Sequence, residues 1–382
     1  MSFVYMANSV SENASRRYSV ETVRTEAALD GLESDWNRLT QNAEQPNVFM
    51  TYCWYRAWIT QFARQFSGRI SPYVLVLREG ETVVGISPLA RRLASRFFRV
   101  RKLEFSTIHS DYNDAVLGGD SAGLTGAVVN FLARTTEQWD VVDLRDLRNT
   151  GEGTALIETA LARAGLHYCI LPEDGSCPYL PIDGDAAGLM KRLSGHIRRV
   201  IRKRGERAAA EGVRMRVIEN PQQETGLLQK LITLDHQKSL RSVYPPFVGT
   251  YPEVFQSLFV GLGPRGWLYV ALLEQGDRPI AYQLGFRCGD KLWDYNKAYD
   301  NSFSRIAPGT LLLAGLLDYG FERGFREYDF LRGEEPYKMV WSTACHRRFR
   351  LLIWNRRGLS RVRKFVYHDA KGAIYGLLGK RT

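Results

Sequence analysis

Apolar residues along this chain recur with two periods, near 2 and near 3.6, and the two kinds of stretch alternate. Tyr73–Leu89 reads YVLVLREGETVVGISPL. Two β-branched runs about a turn centred on Gly80 predict a β-hairpin. Tyr269–Gly285 reads YVALLEQGDRPIAYQLG and aligns with it without a gap, Gly276 standing where Gly80 stands. Helical spacing precedes each hairpin, over Asp30–Thr40 and Tyr52–Phe66 in the first case and over Glu224–Leu240 and Glu253–Leu262 in the second. Downstream the echo continues. A helix over Leu124–Glu137 leads into the strand Trp139–Asp146, and a helix over Thr310–Arg323 leads into Phe325–Gly333. An aspartate, Asp143 or Asp329, lies within each strand. One mixed α/β unit of helices, a strand meander, a long helix and a further strand is thus expected twice. The expected organisation is a flexible N-terminus over 1–18, one domain over 19–183, a basic linker helix over 184–212, a second, catalytic domain over 213–355 and a basic tail over 356–382.

At 382 residues the chain suits two domains. Its apolar runs are too short for a membrane-spanning helix, which needs about 18–20 apolar residues. The N-terminus has no apolar core of an export signal. Five cysteines without a C-x-x-C pair give no disulfide or zinc framework, and a reducing, cytoplasmic setting is expected. The six histidines are scattered, so no metal is expected.

Charge changes the picture. The formal net charge is +11, which suits phosphate-bearing ligands, anionic membrane faces or nucleic acid. Two segments concentrate it. Lys191–Arg207 holds eight basic residues against Glu206, with Leu193, Ile197, Val200 and Ile201 at helical spacing. Its exposed cations, Arg198 and Arg202 among them, are candidates for gripping substrate phosphates. The tail from Arg356 holds eight basic residues and one acid, with the apolar Phe365, Val366, Ile374, Tyr375, Leu377 and Leu378. Reversible contact with the inner face of a membrane is expected of it.

The candidate chemistry lies where a strand, Lys291–Tyr299, runs into the loop Asp300–Gly309 and then a helix. A helix start offers unpaired N–H groups and the positive end of a dipole to an anion. Arg305, Ala307, Pro308, Gly309 and Thr310 are the candidates for holding a phosphate-bearing cofactor there. In the first half the densest polar cluster is His109–Asp114, which contains no hydrolase elbow. Trp54 and Trp58, four apart on a helix, are expected in the core.

The stretch WDYNKAYDNSFSRIAPGTLLLAGLLDYGFERGFREYDFLRGEEPYKMVW, Trp293–Trp341, resembles the CelD/BcsL-like branch of the GNAT acyltransferases, which is related to the FemAB peptidyltransferases. Asn47–Trp58, His109–Leu117 and Ser194–Gly212 resemble the same branch. The resemblance implies two tandem GNAT-like folds. It implies acyl transfer from acetyl-CoA or another acyl-CoA to an amine or hydroxyl of a sugar, sugar-nucleotide or lipid-linked precursor, in exopolysaccharide or cellulose synthesis. No DNA partner is implied. Arg305-Ile-Ala-Pro-Gly309 keeps only the outline of the family's Gly-rich pyrophosphate loop. A FemAB-like aminoacyl-tRNA donor and a non-catalytic binding protein are therefore the alternatives. Lys338, in GEEPYKMVW, matches a lysine that stabilises the developing oxyanion in FemAB-like enzymes, and a fixed cation suits that task. The general base is left open among Asp111, Asp329, Glu334 and Glu335. Tyr112, Tyr299 and Tyr337, with Arg198 and Arg202, are the candidates for holding the acceptor.

Overall fold

Both predicted hairpins form, and they match in detail. In the computed structural model β2 (Ile70–Glu79) pairs antiparallel with β3 (Thr82–Leu93), and β10 (Leu268–Gln275) pairs with β11 (Arg278–Cys288). Gly80 and Gly276 turn the two hairpins at φ +58° and +59°, a left-handed conformation that costs glycine nothing. Each hairpin carries a bulge at the same aligned place, Leu77/Arg78 in one and Leu273/Glu274 in the other. Tyr73 and Tyr269 are both fully buried. The structure describes residues 17–355 apart from 67, 95–99, 149, 185–187, 189, 192 and 240–244. The tail from 356 expected to touch a membrane lies outside the described residues.

The chain divides into two units, residues 1–174 with 347–382, and residues 175–346. The first is built on a mixed sheet of order β1-β2-β3-β4-β6-β15-β7. Its remaining strands are β1 (Ser19–Val23), β4 (Arg101–Phe105), β6 (Val141–Arg148), β7 (His167–Pro172) and β15 (Arg348–Trp354), with the short β5 (Val116–Leu117) pairing β3. β4 and β6 are parallel, joined through the helix Ser121–Arg134. That helix and Glu152–Arg163 cover one face through Val129, Leu132 and Leu161, which pack with Tyr73, Leu75 and Leu103. Val74 and Val76, pointing the other way, are equally buried, so both faces of the sheet are covered. Trp54 and Trp58, on the helix Tyr52–Gln65, are buried as expected.

The second unit has the order β14-β8-β13-β12-β11-β10-β9, with β8 (Cys177–Pro181), β9 (Val213–Ile218), β12 (Lys291–Tyr299), β13 (Glu327–Asp329) and β14 (Ala344–His346). Read from the opposite edge, this is the order of the first sheet. A four-strand meander leads through a helix, here Pro308–Glu322, to a parallel strand. Both sheets have a strand inserted before the last, and here the structure corrects the expected boundaries. β8 follows β7 in sequence yet lies in the second sheet. β15 follows β14 yet lies in the first, between β6 and β7. The two units exchange this strand, so 348–354 does not close the second domain as expected. The basic helix Gly195–Ala210 is likewise part of the second unit rather than a linker. Ile197, Ile201 and Ala208 sit in a core with Leu312, Leu313 and Leu316 of the helix Pro308–Glu322.

Candidate functional site

The second unit opens its sheet where the sequence placed the chemistry. β12 and β13 pair only over Lys291↔Glu327, Leu292↔Tyr328 and Trp293↔Asp329. Among the described residues β12 then runs on to Tyr299 paired with β11 alone, leaving one edge of backbone donors and acceptors for a ligand. Leu284 pairs Asn296 while Gly285 pairs Asp294, so Tyr295 is an inserted bulge residue. The bulge has a chemical consequence. Residues three apart on a regular strand face opposite ways, but here Asp294 and Lys297 share a face. Lys297 Nζ lies 2.5 Å from Asp294 Oδ2 and 4.2 Å from the Tyr337 ring centroid.

That face is buried and polar. Tyr269 donates from its hydroxyl to the Trp293 carbonyl at 3.4 Å, and the buried Gln283 amide bonds the Tyr328 hydroxyl. Burial, reinforced by the charge of Asp294, pushes the hydroxyls of Tyr269 and Tyr328 well above the usual tyrosine range. Gly285 makes the arrangement possible, because a Cβ there would collide with the Trp293 carbonyl and the Tyr269 hydroxyl. Asp294 and Lys297 stand within the quoted motif WDYNKAYD but were not singled out. The signal was the single carboxylate of the strand KLWDYNKAY, and the bulge that gives it meaning has no local signature.

The helix Pro308–Glu322 begins beside the η-turn Asn301–Ile306. Pro308 occupies its first position, where a missing N–H costs nothing. Its cap, Ala307, has left-handed φ +52°, and no side chain caps the helix. A Cβ added to Gly309 would meet nothing within 4 Å. Of the expected helix-start site over Ala307–Thr310, Gly309 is therefore open, while the Ala307 and Thr310 amides donate within the turn, to Ser304 and Ala307 carbonyls at 3.0 Å. Arg305 does not point into it. Its guanidinium grips Glu211 with two bonds, at 3.1 and 2.8 Å, and Arg204 donates to the Arg305 carbonyl at 2.6 Å. Arg198 and Arg202 are exposed on the basic helix, which bonds this loop from its other end, through Arg204 and the C-cap residue Glu211.

Lys338 is buried, at 5% exposure, on the short helix Pro336–Trp341. Its ammonium donates to the Arg332 carbonyl at 2.6 Å and pairs with Glu335 at 3.0 Å, bracing a turn in which Leu331 and Gly333 have positive φ. Tyr337 and Tyr299 are exposed. Glu334 accepts from the Ser176 amide and hydroxyl. Asp329, almost fully buried, accepts from the Leu331 amide at 2.8 Å. It shares its sheet face with Trp293, opposite to Leu292 and Asp294. There Glu327, Asp329 and His346 bring three candidate ligand atoms within 4.8 Å of one another, a grouping that scattered histidines did not foretell. Lys291 already lies 3.1 Å from both Glu327 oxygens. Burial alone would raise the Glu327 carboxyl, yet His346 and Lys291 hold it below the usual range.

The first unit has the same parts, closed. Its helix Ser121–Arg134 is capped by Asp120, whose carboxylate accepts from Gly123 N at 2.9 Å and from the Tyr18 hydroxyl at 3.1 Å. The anion position is thus filled by the chain's own carboxylate. Where β4 and β6 part, Asp143 is buried against Lys102 and takes two bonds from Arg350, at 2.6 and 2.8 Å. Asp111 and Tyr112 are buried in this unit. The neighbouring Ser110 accepts from Trp54 Nε1 at 2.9 Å, and Asn113 donates to the Asp146 carbonyl.

Residues 195–339 match the acetyltransferase (GNAT) domain family. No curated protein sequence matches the chain. Among solved structures, FemX is similar over 90% of this chain and 99% of its own, with 11% identity and a TM-score of 0.63. A conserved protein of unknown function from Bacteroides thetaiotaomicron VPI-5482 is similar over 88% and 100%, with 10% identity and 0.54. L-PGS from Bacillus licheniformis is similar over 84% and 96%, with 13% identity and 0.52. At such identities the likeness is one of fold alone: this chain's fold is two mixed α/β units in tandem, and the match to the acetyltransferase (GNAT) domain falls within the second.

Proposed function

We propose that the chain is an acyltransferase whose second unit binds an acyl-CoA and passes the acyl group to an amine or hydroxyl of a sugar, sugar-nucleotide or lipid-linked precursor. The observation that carries this reading is the contrast between the units. The same helix start is left without a side-chain cap in one and is filled by the Asp120 carboxylate in the other. In this reading the donor's pyrophosphate rests on the amide at Gly309 and the positive end of the helix, and the thioester lies along the unpaired edge of β12. The acceptor attacks the carbonyl carbon and the C–S bond breaks. CoA leaves as the thiolate, and the acceptor's proton passes to Asp294, directly or through water. Lys338 has three N–H donors and spends two. The third is the donor proposed for the oxyanion, in a buried setting that strengthens it. Arg198 and Arg202 take acceptor phosphates, and the basic tail adds reversible membrane contact.

A second reading is favoured by the likeness to FemX: the same open edge would serve an aminoacyl ester carried on tRNA. Thioester hydrolysis and transfer, followed by release of the CoA thiol, separates the two. Asp294→Asn should lower turnover by about 10²–10⁴-fold, the usual worth of a positioned base, with acyl-CoA affinity little changed. Turnover from aminoacyl-tRNA and none from acyl-CoA would replace the first reading by the second.

A further inference from the structure

The bulge that turns Asp294 and Lys297 onto one face sets an amine of the chain itself where an acceptor would stand. Lys297 Nζ is 2.5 Å from the Asp294 carboxylate, and the two side chains are 23% and 2% exposed. The Tyr337 ring lies against the same ammonium, at 4.2 Å. A nucleophile within hydrogen-bond reach of a base, and partly withdrawn from water, is the arrangement that covalent chemistry requires. Lys297 also stands on the length of β12 beyond its pairing with β13, which ends at Trp293. That is the edge along which the thioester is placed. The other lysines of this region are engaged differently. Lys291 is on the opposite face of β12, held by both Glu327 oxygens at 3.1 Å. Lys338 is buried and tied to the Arg332 carbonyl and to Glu335.

We propose that Lys297 is a self-acylation site: given an acyl-CoA and no acceptor, the chain transfers the acyl group to its own Lys297 Nζ. This rests on the acyl-CoA reading given above and adds a covalent modification site to it. One proton of the ammonium passes to Asp294. The freed nitrogen lone pair attacks the thioester carbonyl carbon, an N–C bond forms and the C–S bond breaks. CoA leaves as the thiolate and takes the second proton that the nitrogen loses. The products are an N-acyl-lysine and the CoA thiol, and Asp294 returns its proton to water. An acylated lysine carries no charge and no nucleophilic lone pair, so the reaction runs once per chain.

The test is incubation of the full chain with acetyl-CoA and no acceptor, followed by mass spectrometry of the intact protein and of its peptides. Calorimetric titration with acetyl-CoA runs beside it. Acetyl should appear at Lys297 at least about tenfold faster than at the exposed Lys191 and Lys203, a small part of what holding donor and nucleophile together can gain. Asp294→Asn should slow labelling of Lys297 by about 10²-fold, the lower worth of a positioned base. Lys297→Arg keeps a cation beside Asp294 but offers no nucleophile, and should abolish the fast label. Thermal unfolding confirms that both variants are folded, and the comparison among lysines needs only the native chain. Acetyl-CoA bound with all lysines labelled at one rate, or with the fast label elsewhere, would overturn the self-acylation and leave the acyl-CoA reading intact. Absence of acetyl-CoA binding would overturn both.

Discussion

Lys338 shows how far residue chemistry depends on what surrounds it. From sequence it is only the lysine of GEEPYKMVW, matched to an oxyanion role, which predicts a loss of rate and says nothing of the fold. Its burial adds to that expectation: without the ammonium the Arg332 carbonyl loses its donor. Lys338→Ala should destabilise the protein by about 1–3 kcal/mol as well as lower kcat. Lys338→Arg should recover part of the stability, because it restores a donor, but little of the rate. Chemical denaturation beside single-turnover kinetics separates the two effects, and a variant with full stability and full rate would remove Lys338 from the account. Asp143 is the opposite case, legible only as an aspartate within a strand. Burial alone would raise its pKa, but Arg350 and Lys102 outweigh burial and hold it down to about 2. A carboxyl depressed in the folded state adds stability above its unfolded value of about 3.8, and that stability is lost as pH falls through about 2. The shift corresponds to about 2 kcal/mol. Denaturation midpoints between pH 5 and 2 should therefore fall more steeply for the native chain than for Asp143→Asn, which is weaker at pH 7. Parallel pH profiles would contradict the ion-pair assignment.

Elements were legible where period and turn agreed. Both hairpins, β12 to the residue, the helix Tyr52–Gln65 and the helix after β12, which starts at Pro308 rather than the expected Thr310, follow from alternation, helical spacing and glycine turns. What the pattern could not supply was membership. β8 and β15 are short strands, five and seven residues long, and nothing local tells a strand which of two sheets it will join. That choice is made by long-range pairing, so the domain boundary was placed about a strand too late in both units. The open junction of β12 and β13 was hidden for the same reason, since it is an absence of pairing. The exchange has a testable cost. Phe349, Leu351, Leu352 and Ile353 are all buried, at roughly 1.5–3 kcal/mol each, which together rivals the whole stability of a domain, about 5–15 kcal/mol. A chain ending at Arg347 should lose slow hydrogen exchange across β4, β6 and β7, whereas one ending at Asn355 should keep it. Undiminished protection in the shorter chain would show that β15 is dispensable to the first sheet.

On the scale of the whole molecule, two copies of one plan have diverged in what they leave open. Each has a meander, a crossover helix and a parallel strand, with a junction where a ligand could enter. In the first the junction is bridged by Lys102, Asp143 and Arg350, and its helix start is closed by Asp120. In the second the matching face is bridged by Lys291, Glu327 and His346, but the helix start has no side-chain cap, and a bulge turns Asp294 and Lys297 onto the other face. The duplication was readable from the aligned hairpins. The difference between the copies was not, because it lies in which side chains fill an anion position. Calorimetric titration of the full chain with acyl-CoA tests this most directly, beside Gly309→Val, whose added side chain meets no protein atom at its Cβ and at a helix start costs under about 1 kcal/mol. The account predicts one acyl-CoA bound per chain, and affinity at least tenfold weaker in Gly309→Val with the protein still folded. Two equivalents per chain, or one that Gly309→Val leaves unchanged, would contradict it.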